Sequence, residues 1–263
     1  MAQQNWYLLT GAHSCGKTTA FSRITEHFED LMTLHRRAGL TTYPDVFLLS
    51  EIARFILAHS PAIARTSSEF QVGLAQVQTA IEEQVYKNTL AEDFVAIADR
   101  TLLDIYAYAM VRKTEPPLSV AALQQWMQRY DHVFVFSPKN VAHITGDVAR
   151  SSSDPSREAL HTEIVSLVES CQRPYTILDG HVARRHQVVL QIVSKDIERT
   201  FFGLHTRDGR SKVGTPVTIA PVGMLGGGEN HPGPELMPDV SALLGAHPEH
   251  SNDIATDGSA GDQ

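Results

Sequence analysis

The sequence predicts an α/β fold: a three-layer sandwich in which a five-stranded parallel sheet carries helices on both faces. Three observations predict it. Five short apolar runs recur along residues 1–200, each bounded by turn-forming or polar residues. Longer stretches with apolar residues at helical spacing separate them. A Gly-x-x-x-x-Gly-Lys-Thr pattern joins the first run to the first helix.

Taken in order, Trp6-Tyr7-Leu8-Leu9-Thr10 is the first predicted strand, and Gly16 to about Phe28 is the helix that leaves the glycine pattern. Val46-Phe47-Leu48-Leu49 is the second strand, followed by a helix through Ile52, Phe55 and Ile56. Phe70 to Leu90 places Val77, Ile81 and Val85 at helical spacing and predicts one long helix. Phe94-Val95-Ala96-Ile97-Ala98 is the third strand. Helices over Leu102 to Val111 and Val120 to Tyr130 are parted by Pro116-Pro117. His132 to Phe136 is the fourth strand, Pro155 to Ser170 a helix, Tyr175 to Leu178 the fifth strand, and Val182 to about Glu198 the last helix. Apolar strands alternating with helices imply a parallel sheet buried on both faces. Ligands of such sheets bind beyond the carboxyl ends of the strands.

Composition narrows the function classes. The 263 residues are 42% hydrophobic and 20% charged, ordinary for a soluble globular protein. No apolar run approaches the roughly 20 residues that span a bilayer, so no membrane role is expected. The N-terminus, Met1-Ala2-Gln3-Gln4-Asn5, lacks the basic start and apolar core of a signal peptide. Two cysteines, Cys15 and Cys171, cannot form a disulfide framework, which fits a reducing, cytoplasmic setting. The net charge of −8 argues against a dominant nucleic-acid surface. The charge is uneven: residues 201–263 carry three basic and eight acidic side chains, leaving a nearly neutral body. That tail also holds 11 of the 17 glycines and 6 of the 13 prolines. The expected division is a folded domain over 1–200 and a Gly/Pro-rich acidic tail over 201–263, largely disordered. A short strand at Val217-Thr218-Ile219-Ala220 has no evident partner.

Gly11-Ala12-His13-Ser14-Cys15-Gly16-Lys17-Thr18, with Thr19 following, matches every fixed position of a phosphate-binding P-loop, in the strand–loop–helix context it requires. Gly11 and Gly16 let the backbone turn and approach phosphate. Loop N–H groups and the helix N-terminus present partial positive charge. Lys17 is expected on the β- and γ-phosphates and Thr18 on Mg²⁺. His13 contacts phosphate or, in the plainer reading, faces solvent. Cys15 lies near a helix N-terminus, which lowers a thiol pKa and predicts sensitivity to oxidation.

Acidic and basic residues cluster after the other strands. Asp99 follows the third strand, where it either approaches the metal or caps a helix. Arg100 comes next, and Asp104, one turn on, reads as surface or helix-start charge. Glu51 follows the second strand and has the chemistry to accept a proton from an acceptor hydroxyl; Arg54, one turn later, suits an anion on that acceptor. Arg150 and Arg157 flank Ser151-Ser152-Ser153-Asp154-Pro155, a composition suited to a mobile lid whose arginines reach a transferring phosphoryl group. Arg184 and Arg185, beyond the fifth strand, border the place of the nucleotide base. No histidine pairs with Cys or His at zinc-ligand spacing, so phosphate-bound Mg²⁺ is the expected metal.

In this order the segments resemble the P-loop kinase-like domain shared by bacterial nicotinamide riboside kinases (the kinase part of NadR) and related small ATPases. The resemblance covers about residues 5–198. Its markers are the P-loop, Ser50-Glu51-Ile52-Ala53-Arg54, the glutamines Gln71, Gln76 and Gln78, Ala98-Asp99-Arg100-Thr101, Tyr130-Asp131-His132-Val133-Phe134, the arginine lid, and Pro174-Tyr175. The lid segment Gly146-Asp147-Val148-Ala149-Arg150 departs from the family's usual order. The resemblance implies a P-loop kinase-like sheet with an arginine-bearing lid, and ATP- and Mg²⁺-dependent phosphoryl transfer to a hydroxyl of a nucleoside, nucleotide or modified base. It implies that Glu51 and Asp99 share metal and base duties, with Glu51, Arg54 and Arg100 near the acceptor. In size and P-loop placement the chain is also similar to bacteriophage kinases that phosphorylate 5-hydroxymethyluracil in DNA, so DNA stands as an alternative substrate. The implied setting is a bacterial or phage-infected cytosol. The rival from another class is a nucleotide-gated regulatory ATP/GTP-binding protein. No oligomeric state follows from the sequence.

Overall fold

A computed structural model describes residues 4–39, 44–53, 56, 68–88, 93–141 and 156–202. Its strands are β1 (Gln4–Gly11), β2 (Asp45–Leu49), β3 (Phe94–Asp99), β4 (His132–Phe136) and β5 (Tyr175–Leu178). Its helices are α1 (Lys17–Arg37), α2 (Ser68–Asn88), α3 (Leu102–Arg112), α4 (Val120–Met127), α5 (Arg157–Ser170) and α6 (Val182–Phe201). All four strand pairings are parallel, in the order β2-β3-β1-β4-β5. The predicted five-stranded parallel sheet with helices on both faces is therefore present.

Burial explains the layering. Every residue of β3 is buried, as are seven of the eight in β1, as expected for central strands covered twice. The helices bury single stripes. In α1 the stripe is Lys17, Ala20, Ile24 and Phe28; in α6 it is Arg185, Val189, Val193 and Ile197. Both follow the i, i+3/i+4 rule for a helix lying on a sheet. α1 packs with α6, while α3 packs with α2 and α5. Edge-to-face rings of Trp6 against Phe94 and Tyr130 close the end of the sheet where β1 begins.

The strand order positions the site. From β1 the chain travels out to β2, returns as β3 beside β1, and then crosses to β4 on the other side. Adjacent strands β1 and β3 thus send the chain in opposite directions, and the crevice beyond their carboxyl ends is the expected ligand position. Asp99 pairs in register with Leu9, two residues before Gly11.

The expected helix after β2 is present at Ile52 and Ala53, and Ile56 is buried. Arg54 and Phe55 lie outside the described residues, as do Arg150 and the Ser151–Pro155 segment, the Val217–Ala220 strand, and the tail beyond residue 202. Among the described residues, no helix is long and apolar enough to cross a membrane.

Candidate functional site

The loop between β1 and α1 is built on two glycines that no other residue could replace without strain. Gly11 has φ +141°, and a Cβ there would stand 2.5 Å from the Phe136 carbonyl oxygen. Gly16 has φ +83°, and a Cβ would stand 2.6 Å from Val182 Cγ1. Gly16 is the N-cap of α1, so the helix begins at Lys17, one residue later than expected. Ser14 also takes a left-handed conformation, φ +57°. Its Oγ is buried and has no hydrogen-bond partner among the described residues. Ala12 and Cys15 are fully buried, His13 is half-buried, and Thr18 and Thr19 are exposed at the start of α1.

Lys17 is buried, and its Nζ donates to the carbonyls of Gly11 at 2.7 Å and Ala12 at 2.6 Å. Burial, with the nearby Arg100 charge, pushes its ammonium down to about 8, against the pull of Asp99 and Asp104. Asp99 is buried across from it. Burial pushes that carboxyl up to about 6, despite Lys17 and Arg100, with Glu51 and Asp104 adding to the rise. Asp99 Oδ1 is buried and has no hydrogen-bond partner among the described residues. Helix α3 is capped by Thr101, not by Asp99.

Arg100 carries φ +72°, a turn that swings its side chain back over the sheet end. Its Nε lies 3.0 Å from Glu51 Oε1, an ion pair by distance in which the N–H does not point along the line to the carboxylate. Its Nη1 donates to Asp104 Oδ1 at 3.3 Å. Asp104, expected as surface or helix-start charge, is buried. The helix-start part holds: its Oδ2 accepts from the Thr101 N–H at 3.2 Å. The surface part does not, because Oδ1 also accepts from the Thr10 hydroxyl at 3.0 Å, beside the P-loop. Glu51, Asp99, Asp104, Arg100 and Lys17 therefore form one compact, nearly charge-balanced group at the ends of β1, β2 and β3.

Three other features were less visible in the sequence. Glu82 of α2 is completely buried. It accepts from Gln78 Nε2 and Thr101 Oγ1, both at 2.7 Å, and from Trp126 Nε1 and the Tyr130 hydroxyl, both at 2.8 Å. Its signal was a polar side chain on the stripe Leu74, Gln78, Glu82, spaced by four. Arg185, expected to border a base, is instead buried and donates only to carbonyls: Cys15 and Ser137 from Nη1 at 2.9 and 2.6 Å, Lys139 from Nη2 at 2.8 Å, and Gly180 from Nε at 3.0 Å. Its signal was an arginine at the head of the Val189, Val193, Ile197 stripe. Cys15 departs from expectation too. The thiol is fully buried, and burial pushes its pKa up despite Lys17, Arg157, Arg185 and Arg100, so the predicted reactive thiolate is not formed. Arg157 opens α5 and donates to the Val141 carbonyl at 3.4 Å.

A polyanion suits the loop, which has a buried ammonium, an unpartnered hydroxyl and the start of α1. For a divalent cation, Asp99 Oδ1 supplies a hard, unpartnered oxygen of the kind such an ion takes. Among the described residues, no group of three His, Cys, Asp or Glu side chains is arranged to hold a metal ion by itself. Thr18 and Asp99 are the residues that would hold Mg²⁺ beside a bound nucleotide.

Comparison with known proteins gives one family. The model of a family described as an AAA domain matches residues 6–185. No curated protein matches. Among solved structures, thymidylate kinase from Ehrlichia chaffeensis is similar over 73% of this chain and 99% of that chain, at 13% identity and a TM-score of 0.47, a likeness too distant to bear on activity.

Proposed function

The chain belongs to the AAA domain family, and from that premise we propose that it is a Mg²⁺/ATP-dependent kinase acting on a hydroxyl of a nucleoside, nucleotide or modified base. The observation that carries the reading is the carboxylate pair Glu51 and Asp99 at the adjacent ends of β2 and β3, with Asp99 beside the P-loop lysine and Arg100 held by Glu51. A protein that only holds a nucleotide has no need of a second carboxylate, Glu51, paired beside Asp99.

In this reading, Lys17, the loop amides and Thr19 hold the triphosphate. Thr18 and Asp99 hold Mg²⁺, which when bound neutralises charge on the β- and γ-phosphates. The acceptor oxygen forms a bond to the γ-phosphorus as the bond to the β–γ bridging oxygen breaks, and ADP leaves. The acceptor proton passes to a carboxylate at the strand ends. Glu51, held by Arg100, orients the acceptor hydroxyl, and Arg54 contacts the rest of it. Arg150 and Arg157 stabilise charge on the transferring group. Catalysis of this kind is mostly positioning and electrostatics. The Gly/Pro-rich acidic tail that follows α6 has no part in this reading.

The resemblance to nicotinamide riboside kinases and to phage hydroxymethyluracil kinases selects the acceptors to test. Transfer of label from γ-labelled ATP is measured onto free nucleosides, nucleotides, and DNA with and without hydroxymethylated bases. Label on a nucleoside or nucleotide, lost in Lys17→Ala, supports the reading; label on modified DNA alone moves it to the phage-type substrate. Slow ATP hydrolysis with no labelled acceptor would overturn the kinase reading in favour of a nucleotide-gated switch.

A further inference from the structure

Arg185 is an expensive residue in its place. It lies in the first turn of α6, where the helix dipole disfavours a cation. It is buried, and the oxygens around its guanidinium are carbonyls rather than carboxylates. Four of its five N–H groups are used. The carbonyls belong to three separate loops: Cys15 in the P-loop, Ser137 and Lys139 after β4, and Gly180 after β5. Helix packing alone asks for nothing so specific, since Val189, Val193 and Ile197 already anchor α6.

The bond to Cys15 has a consequence on the far side of its peptide. The Cys15 carbonyl and the Gly16 N–H belong to one planar trans unit and point in opposite directions. A guanidinium that fixes the carbonyl from behind therefore fixes the direction of the amide in front. Gly16 stands at the N-cap of α1, where unpaired N–H groups meet an anion. Val182, from the same turn of α6, leaves no room for a side chain at Gly16.

We propose that Arg185 is a positioning residue for the nucleotide: by holding the Cys15 carbonyl it aims the Gly16 N–H at phosphate, and by holding Ser137, Lys139 and Gly180 it ties the loops after β4 and β5 to the P-loop. The inference rests on nucleotide binding at the loop and is independent of the acceptor. Lysine cannot replace this arginine, because one ammonium carries its donors on a single atom and cannot reach three loops.

The test uses the full chain, with ATP as the probe. Dissociation constants are measured for wild type, Arg185→Lys and Lys195→Ala, an exposed position further along α6, alongside the Gly16 amide resonance. Expected results are a downfield Gly16 shift on ATP addition to wild type and to Lys195→Ala. In Arg185→Lys the shift is lost and ATP binds about tenfold or more weakly, the scale of one charge-assisted hydrogen bond. Wild-type affinity and shift in folded Arg185→Lys overturn the proposal. Weaker binding with an unchanged Gly16 shift overturns it as well, because the arginine is then only structural. If Arg185→Lys does not fold, the wild-type resonance decides alone: a Gly16 amide indifferent to bound ATP overturns the proposal. Failure of wild type to bind ATP is a separate result, which removes the nucleotide reading beneath it.

Discussion

Replacing Asp99 by asparagine separates what the carboxylate costs the fold from what it does for a ligand. Folding raises its carboxyl from 3.8 to about 6, which corresponds to about 3 kcal/mol between the two protonation states. The sign follows from linkage. An acid whose pKa is raised on folding destabilises the folded chain above that pKa, and the penalty fades as pH falls towards the unfolded value. Asp99→Asn removes the penalty while keeping the shape. At pH 7.5 the nucleotide-free variant should be more stable than wild type by up to about 3 kcal/mol, roughly 2–4 °C in Tm for each kcal/mol. By pH 5 the advantage should shrink to about half. Addition of Mg²⁺ and ATP should reverse the order, because wild type gains stability from the bound nucleotide and the variant loses most of that gain. Thermal melts at both pH values, with and without Mg²⁺/ATP, measure all four quantities. A variant that is less stable than wild type at pH 7.5 without ligand, or equally stabilised by Mg²⁺/ATP, would refute the reasoning.

Three further outcomes are expected. The Lys17 ammonium, pushed down to about 8 by burial, should regain its proton when a polyanion binds, so ATP binding at pH 8.5 takes up protons; calorimetry in two buffers of different ionisation enthalpy detects this, and identical heats would count against it. Glu82→Ala removes the shared acceptor of Gln78, Thr101, Trp126 and Tyr130, with Tyr130 keeping its 3.3 Å bond to Thr101 Oγ1, and should cost about 3–5 kcal/mol in urea unfolding, whereas a loss under 1 kcal/mol would show that the network adds little. Gly16→Ala forces a Cβ to within 2.6 Å of Val182 Cγ1 at a positive φ and should weaken ATP binding; Val182→Ala in the same chain should recover only the part due to the clash.

Most of the fold is legible in the sequence because apolar runs and breakers lie on the chain in the order the sheet needs. β4 and β5 fall on the predicted residues, since Asp131, Pro138, Pro174 and Asp179 bracket them. Helix α2 is legible as a helix, and Val77 is buried as the Val77, Ile81, Val85 line expects, but Ile81 and Val85 are only half-buried. The reason is that Gln78 and Glu82 point inward, and a reading by hydrophobicity places such residues outside. The P-loop is fully legible, its two glycines being demanded by Phe136 and Val182. The counterparts of Asp104 and Arg100 on the neighbouring strands, Thr10 for Asp104 and Glu51 for Arg100, are not, because they meet only once three strands lie side by side. Cys15 misled for a related reason: a helix N-terminus lowers a thiol pKa only where water or a cation can reach the sulfur, and here burial prevails.

The donors gathered by Glu82 lie 4, 19, 44 and 48 residues away along the chain. That spread sets an order of events during synthesis. When Asp99 and Thr101 leave the ribosome, two of the four donors, on Trp126 and Tyr130, have yet to be made. A carboxyl group is costly to take into an apolar interior while half its hydrogen-bond partners are absent. The turn that bears Asp99 and Arg100 therefore cannot settle on α2 until the chain has grown past Tyr130. One end of the candidate site is finished by residues translated well after it, and a nascent chain arrested before residue 130 should hold the P-loop strand without an ordered acidic partner.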